Sequence, residues 1–197
     1  MISTFLASFG LAASAGLNAY LPILILALTD RLTEVVELPQ PYDIISTNWG
    51  LIVLLVLLPI ELVADKIPRV DHVSDLIHAP IRPAAAAFLA MAIAAASDEL
   101  NLVVALVLGL LVGGAVHAYK TVSRPGITVS TKGIGNPLVS MSEDVLVILT
   151  AVVSVFFPLG VLFVVPLSAY LLYSQYSRLK RGESRFTSLL SGQSASR

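Results

Sequence analysis

The chain has 197 residues, 56% hydrophobic and only 13% charged, with a formal net charge of −1 and a mean hydropathy of +0.87. Soluble domains carry about a quarter charged residues, so a water-soluble fold is excluded and lipid becomes the solvent, with room for several spans of roughly 20 residues and none for a soluble catalytic domain. With no cysteine in the sequence, disulfides, thiolate metal ligands and a cysteine nucleophile are excluded as well.

Ile2 to Leu28 is apolar, carries Asn18 and Pro22 in its second half, and lacks the basic start of a signal peptide, so it reads as a retained first span. A proline-bearing acidic loop follows, Asp30 to Asn48, and Trp49 marks an interface before a short second span, Gly50 to Ala64. After the polar stretch Val70 to Ala79, Pro80 and Pro83 are expected to kink or break the third span, whose small-residue part, Ala84 to Ala96, ends at Ser97-Asp98-Glu99. The fourth span, Leu102 to Tyr119, carries Gly109 and Gly113, a GxxxG pair suited to close contact with a neighbouring helix.

The apolar run Val145 to Tyr173 exceeds one ordinary span, and a hairpin at Pro158 to Gly160 divides it into the fifth and sixth. Charge favours that division, because eleven of the twelve Lys and Arg residues then share one side and only Arg31 lies opposite. Asn18-Ala19-Tyr20 and His117-Ala118-Tyr119 sit at similar depth in spans one and four, and Val73-Ser74 and Val139-Ser140 follow in turn. This is the pattern of a weak inverted repeat. The expected fold is an all-α, polytopic transmembrane helix bundle of about six spans with broken or kinked helices, over residues 1–177. A basic and then disordered cytoplasmic tail, 178–197, completes it. The expected location is the inner membrane, with both termini cytoplasmic.

The densest polar segment is Glu61, Asp65, Lys66, Arg69, Asp71, His72, Asp75, His78 and Arg82. At about 100° per residue, Asp71, Asp75, His78 and Arg82 fall within roughly 60° of one helix face, with Pro80 interrupting the last step. Three readings stand side by side: a solvated interfacial helix with paired charges, a divalent-metal site lacking the usual HExxH spacing, and recognition of a polar or anionic substrate. In span four, Gly109, Gly113, His117, Lys120 and Arg124 lie within about 80° of arc, so a packed glycine face leads into cationic groups that are either interfacial anchors or a binding surface.

The segment from Ser123 through Asn136 to Pro137 has glycines and hydroxyls but not the order of a P-loop, and reads as a structured or re-entrant loop. Ser140 and Glu143 match a capping box at the start of span five, with Asp144 suiting the same helix end. Asn18 suits an interhelical hydrogen bond. No serine sits in a nucleophile elbow, so no catalytic residue is assigned.

Three groups of residues carry a family resemblance. They are Gly16-Leu17-Asn18-Ala19-Tyr20-Leu21-Pro22; Val63-Ala64-Asp65-Lys66-Ile67-Pro68 with Val70-Asp71-His72-Val73 and Ile81-Arg82-Pro83; and Gly135-Asn136-Pro137 with Ser142-Glu143-Asp144. On them the chain, nearly to Tyr176, resembles the bacterial membrane proteins grouped as domain of unknown function 4126. The resemblance implies a bacterial polytopic membrane protein and brings no activity with it.

The leading expectation from the residues is a transporter or flippase-like protein with a cytoplasm-facing polar site. Its substrate-binding candidates are Asn18, Asp65, Asp71, Asp75, His78, Arg82, His117, Lys120, Arg124 and Asn136, those of the first half approaching those of the second. The alternatives are an integral-membrane enzyme using a divalent metal on Asp71, Asp75 and His78 against a lipid-linked substrate, and a non-catalytic assembly factor packing through Gly109 and Gly113. No cofactor is otherwise expected. The expected partners are the lipid bilayer, a small anionic or lipid-linked substrate and a second copy of the chain, with no nucleic acid.

Overall fold

In the computed structural model the described residues are 1–131, 136–174 and 177, those at 68–72 and 129–131 in backbone only, and all regular structure among them is helical. The helices are α1 (Ile2–Leu17), α2 (Tyr20–Leu32), α3 (Asn48–Ala64), α4 (Pro68–Ser97), α5 (Leu102–Thr131), α6 (Asn136–Phe156) and α7 (Pro158–Ser174), the last opening in a 3-10 turn at Pro158–Gly160. Within α4, α5 and α6 lie apolar stretches long enough to cross a bilayer, while α1, α3 and α7 are shorter apolar helices.

The bundle turns apolar side chains outward. Val53, Leu55, Val56 and Ile60 on α3, Val103 and Leu111 on α5, and Phe163 and Tyr170 on α7 are exposed, as suits a surface solvated by lipid tails. Trp49 is exposed in the first turn of α3, whose start is capped by the Thr47 hydroxyl accepting from the Gly50 N–H at 3.1 Å.

Inside, α1 packs against α4, α5 and α6 through small residues, with Ala12, Ala15 and Ala86 fully buried. A Cβ on Gly109 would overlap the backbone of Ala87, and one on Gly113 would overlap the Ala86 side chain. The GxxxG pair is thus spent within the chain, where it lets α5 approach α4 closely.

The first span, expected as one crossing, is instead a helical hairpin. Thr4 Oγ1 donates to Glu99 at 2.6 Å and Ser8 Oγ to the Ala90 carbonyl at 3.2 Å, so α1 begins beside the α4–α5 turn. It ends beside Lys120, whose Nζ donates to the Leu17 carbonyl at 2.9 Å. Beyond α2, Val35, Val36 and Glu37 line a cavity together with Ser3, Thr4 and Ser97, so the chain has returned to where it started. The two arms have 16 and 13 residues; at 1.5 Å per residue they are about 24 and 20 Å long, short of a hydrocarbon core of about 30 Å.

Because a hairpin adds no net crossing, the two ends of the described bundle separate. Helix α7 starts near α1's beginning, where Pro158 lines the same cavity as Ser3 and Thr4, and finishes near Leu17, against which Leu172 packs. Met1 and Ser174 therefore lie at opposite ends of the described bundle.

Two further expectations change. Helix α4 runs unbroken through Pro80 and Pro83, and α5 continues helically through Pro125 to Thr131, where a loop was expected. The rest of that loop, 132–135, and the tail, 178–197, lie outside the described residues.

Candidate functional site

At one end of the bundle four helices turn charged side chains inward. The spacing of four residues puts Glu61 and Asp65 on one face at the end of α3. Asp75, His78 and Arg82 come from α4, His117, Lys120 and Arg124 from α5, and Glu143 from α6; all nine are buried.

Arg82, with no exposed surface, is the hub. Its Nε donates to Glu61 Oε1 at 3.2 Å, Nη1 to Asp75 Oδ1 at 3.2 Å and to His117 Nδ1 at 3.2 Å, and Nη2 to both oxygens of Asp65 at 3.3 Å. Lys120 bonds Asp65 directly and lies 3.6 Å from Glu143 Oε2. Arg124 bonds Glu143 and donates from Nη1 to the backbone carbonyl of Asp65 at 3.2 Å. Each unpaired charge at such depth would cost about 2.5 to 3.5 kcal/mol on insertion scales, so interlocking is the arrangement lipid enforces.

The same side chains finish the hairpin tip. Asn18 is extended, at φ −143° and ψ 123°, and interrupts the helix between α1 and α2. The interruption leaves carbonyls free at the end of α1 and N–H groups free at the start of α2. The Lys120 ammonium takes the Leu17 carbonyl. Glu61 accepts from the Ala19 N–H at 3.1 and 3.2 Å and from the Tyr20 N–H at 3.4 Å, while Asn18 Oδ1 accepts from Tyr20 and Leu21 at 3.2 and 3.0 Å. A cation thus meets the negative end of one helix dipole and an anion the positive end of the next. Asn18 Nδ2 also reaches Asp144 at 3.5 Å, and Asp144 pairs with Lys66 at 3.1 Å.

Of the candidates from the sequence, Asp65, Asp75, His78, Arg82, His117, Lys120 and Arg124 come together, with Asn18 at the tip beside them. The two halves therefore meet, and Leu17 beside Lys120 joins the segments of the internal echo, although α5 stays helical where α1 ends. Asn136 is fully buried but bonds Thr128, at 2.9 Å, and Thr128 bonds the Arg124 carbonyl at 3.1 Å, so Asn136 ties α6 to α5 beside the cluster. The Asp71 side chain lies outside the described residues.

Two central residues were absent from the candidate set. Glu61 is a lone carboxylate in an otherwise apolar span, a residue that lipid tolerates only when it faces the bundle interior and finds partners, and that is the signal that could have found it. Glu143 was explained by a capping box, but α6 starts at Asn136, which places Ser140 in the second turn with no partner for its hydroxyl. Glu143 pairs across helices instead.

The cluster's hydrogen-bond pattern bears on its chemistry. Asp75 Oδ2 is buried without a partner, although Oδ1 is taken by Arg82. Among the described residues no group of three His, Asp or Glu side chains is arranged to hold a metal ion.

The family described as domain of unknown function (DUF4126) matches residues 5–178, an interval holding both the hairpin and the whole charge cluster. The chain belongs to that family. No curated protein and no solved structure matches it. For this DUF4126 member, helices apolar enough to span a membrane, an outward apolar surface and buried charges together describe a helical membrane bundle.

Proposed function

We propose that this DUF4126 protein is a small transporter of the bacterial inner membrane, with its substrate site at the hairpin tip and the surrounding charge cluster. One observation carries the reading: a helix interrupted inside the bundle presents both open ends to ionised side chains, Leu17 to Lys120 and Ala19 to Glu61. Interrupted helices whose ends meet ionised groups are how many transporters build midplane sites, because irregular backbone is tolerated at membrane depth only inside protein or along a cavity. The basic residues Lys66, Arg69 and Lys132 adjoin the cluster in sequence, whereas Arg31 ends α2 at the far side, so the positive-inside rule turns the cluster end to the cytoplasm and the N-terminus away from it.

The substrate class is a small anion. Arg82 and Arg124 are forked donors now satisfied by internal carboxylates, and a carboxylate or phosphate arriving from solution would take the place of Asp75 or Glu143. The test is uptake of radiolabelled phosphate, succinate and lactate by liposomes containing the purified protein. Saturable accumulation of one probe is expected, with a fall of about tenfold in Arg124→Lys, since that change keeps the charge but loses the fork. Uptake no greater than in protein-free liposomes, with the fold verified, would remove the reading.

A further inference from the structure

We propose that the seam between α1 and α7 is a lipid site, which takes one acyl chain of an anionic phospholipid along its length and holds the headgroup at the cluster end. Two cavities carry it. One, of about 300 Å³, lies beside Phe5 and Phe9 on α1. The other, of about 260 Å³, lies beside Ala13 and Leu17 on the same helix, with residues of α5 and α6 on its far side. Val165 and Ala169 of α7 line both.

Helices α1 and α7 run in the same direction, since Pro158 shares a cavity with Thr4 and Leu172 packs on Leu17. Phe5, Phe9, Ala13 and Leu17, spaced four apart, form one ridge up α1. The cavities therefore follow one another along a single trough. From Phe5 to Leu17 it measures about 18 Å at 1.5 Å per residue. A hydrocarbon core of about 30 Å gives each leaflet about 15 Å, so the trough has the length and direction of one lipid tail.

Its lining suits hydrocarbon. Leu6, Leu17 and Val147 on the floor are buried, while Phe5, Tyr119 and Ala169 on the rim are exposed, as is the outward apolar surface of the bundle. The three hydroxyls in the trough are engaged: Ser14 Oγ donates to the Gly10 carbonyl at 2.6 Å, and those of Thr150 and Ser168 lie 3.4 Å apart. A tail can lie over them without stranding a polar group. Apolar cavities of roughly 150 Å³ in soluble proteins stay dry and take up benzene. Both cavities here are larger, and the solvent at their rim is lipid.

The charge of the head follows from the end at which it sits. Beyond α7 the sequence continues with Arg178, Lys180, Arg181 and Arg185, and a basic cluster directly after a membrane helix attracts anionic headgroups. Tyr119, a residue type that favours the membrane interface, lines the trough at that end. The tail packs against Leu17, whose carbonyl takes Lys120 at 2.9 Å, and so braces the hairpin tip from the lipid side. Nothing in this site draws on the transporter reading, and it goes beyond it.

The experiment reconstitutes the full chain in nanodiscs of equal parts phosphatidylglycerol and phosphatidylcholine, releases it into mild detergent and weighs it by native mass spectrometry. One phosphatidylglycerol should stay with each chain, favoured about tenfold over phosphatidylcholine. Ala169→Phe and Ala115→Phe place a ring in the trough from exposed rim positions and should lose that lipid. Leu167→Phe, exposed on α7 and lining neither cavity, should keep it. Added phosphatidylglycerol should raise the thermal transition of the wild type and leave that of Ala169→Phe where it was. No retained lipid in the wild type, equal retention of the two phospholipids, or equal retention in both filled variants with their fold verified would overturn the proposal. So would an equal thermal shift in wild type and Ala169→Phe. Lipid retention and anion uptake are separate readouts. Retained lipid in a protein that moves no solute would remove the transporter and leave the lipid site, and uptake without retained lipid would do the reverse.

Discussion

Helices α1–α2 and α4 were built from opposite materials and behave opposite to their materials. Helix α4 contains Pro80 and Pro83 and stays continuous, while the chain between Leu17 and Tyr20 breaks at Asn18, with its nearest proline, Pro22, harmlessly in the first turn of α2. The deciding quantity is where freed backbone groups find partners. At the break, Lys120, Glu61 and Asn18 Oδ1 satisfy the loose ends. On α4, Asp75 and Arg82 bracket Pro80, with Pro83 directly after Arg82, and are tied to one another, with Arg82 also tied to α3 and α5. Lipid magnifies both effects, because neither a free N–H nor a free charge has water to fall back on.

The sharpest way to break this comparison is all-or-none. The chain has no cysteine, so Thr4→Cys with Glu99→Cys gives a clean pair, placed where those side chains now touch at 2.6 Å. Mild oxidation should link them nearly completely by peptide mapping, and Leu17→Cys with Glu99→Cys should stay unlinked. The reverse pattern would restore a single first span with the N-terminus at the cluster end.

Next in size is Arg82→Ala, which leaves Glu61, Asp65 and Asp75 facing one another without their shared cation. Breaking a buried pair from one side costs about 3 to 5 kcal/mol, so the thermal transition in detergent should drop steeply or the folded protein be lost. Arg82→Lys keeps the charge but not the fork and should fall between it and wild type. Equal stability of all three would show that the cluster contributes nothing to holding α3, α4 and α5 together.

Much of this arrangement was legible in the sequence, for a reason that also explains what was not. The apolar spans, the meeting of α4's polar stripe with that of α5, and the close approach at Gly109 and Gly113 all follow from a rule without alternatives: charges in lipid must pair, and small residues let helices touch. Glu143 was misplaced because a local rule explained it before a distant one could. The hairpin was illegible because Ile2 to Leu28 has the length and apolarity of a span. What turns Asn18 into a corner is Glu61, 42 residues from the Ala19 N–H that it accepts, and Lys120, 103 residues from the carbonyl it caps. No window along the chain contains those partners.

Glu61→Gln tests the corner alone. The amide still fills the space and can accept from one N–H, but the negative charge at the α2 N-terminus and opposite Arg82 is gone, a loss of about 1.5 to 3 kcal/mol for charged hydrogen bonds. Deuterium exchange should rise at residues 19–21 and stay unchanged in the middle of α4. A uniform rise along both helices would mean that the break and the proline-bearing helix are one cooperative unit.

The smallest effect belongs to Pro80→Ala. Proline is about 3 kcal/mol worse than alanine inside a helix, because it lacks a donor and its ring crowds the carbonyl four residues back, here that of Leu76. Part of that difference is cancelled because alanine frees the unfolded chain, an effect of about 0.4 to 1 kcal/mol, and part because the bundle has already accommodated the ring. A gain of about 1 kcal/mol in detergent unfolding is therefore expected, with exchange at the hairpin tip unaltered. Pro80 is exposed and touches none of the charged partners, so a substitution there should act on the helix and nowhere else. If Pro80→Ala instead destabilises the protein or loosens residues 18–21, the proline sets the course of α4 that brings Arg82 to Glu61, and the continuity of that helix would be a product of its prolines rather than of the ion pairs that Arg82 makes beside them.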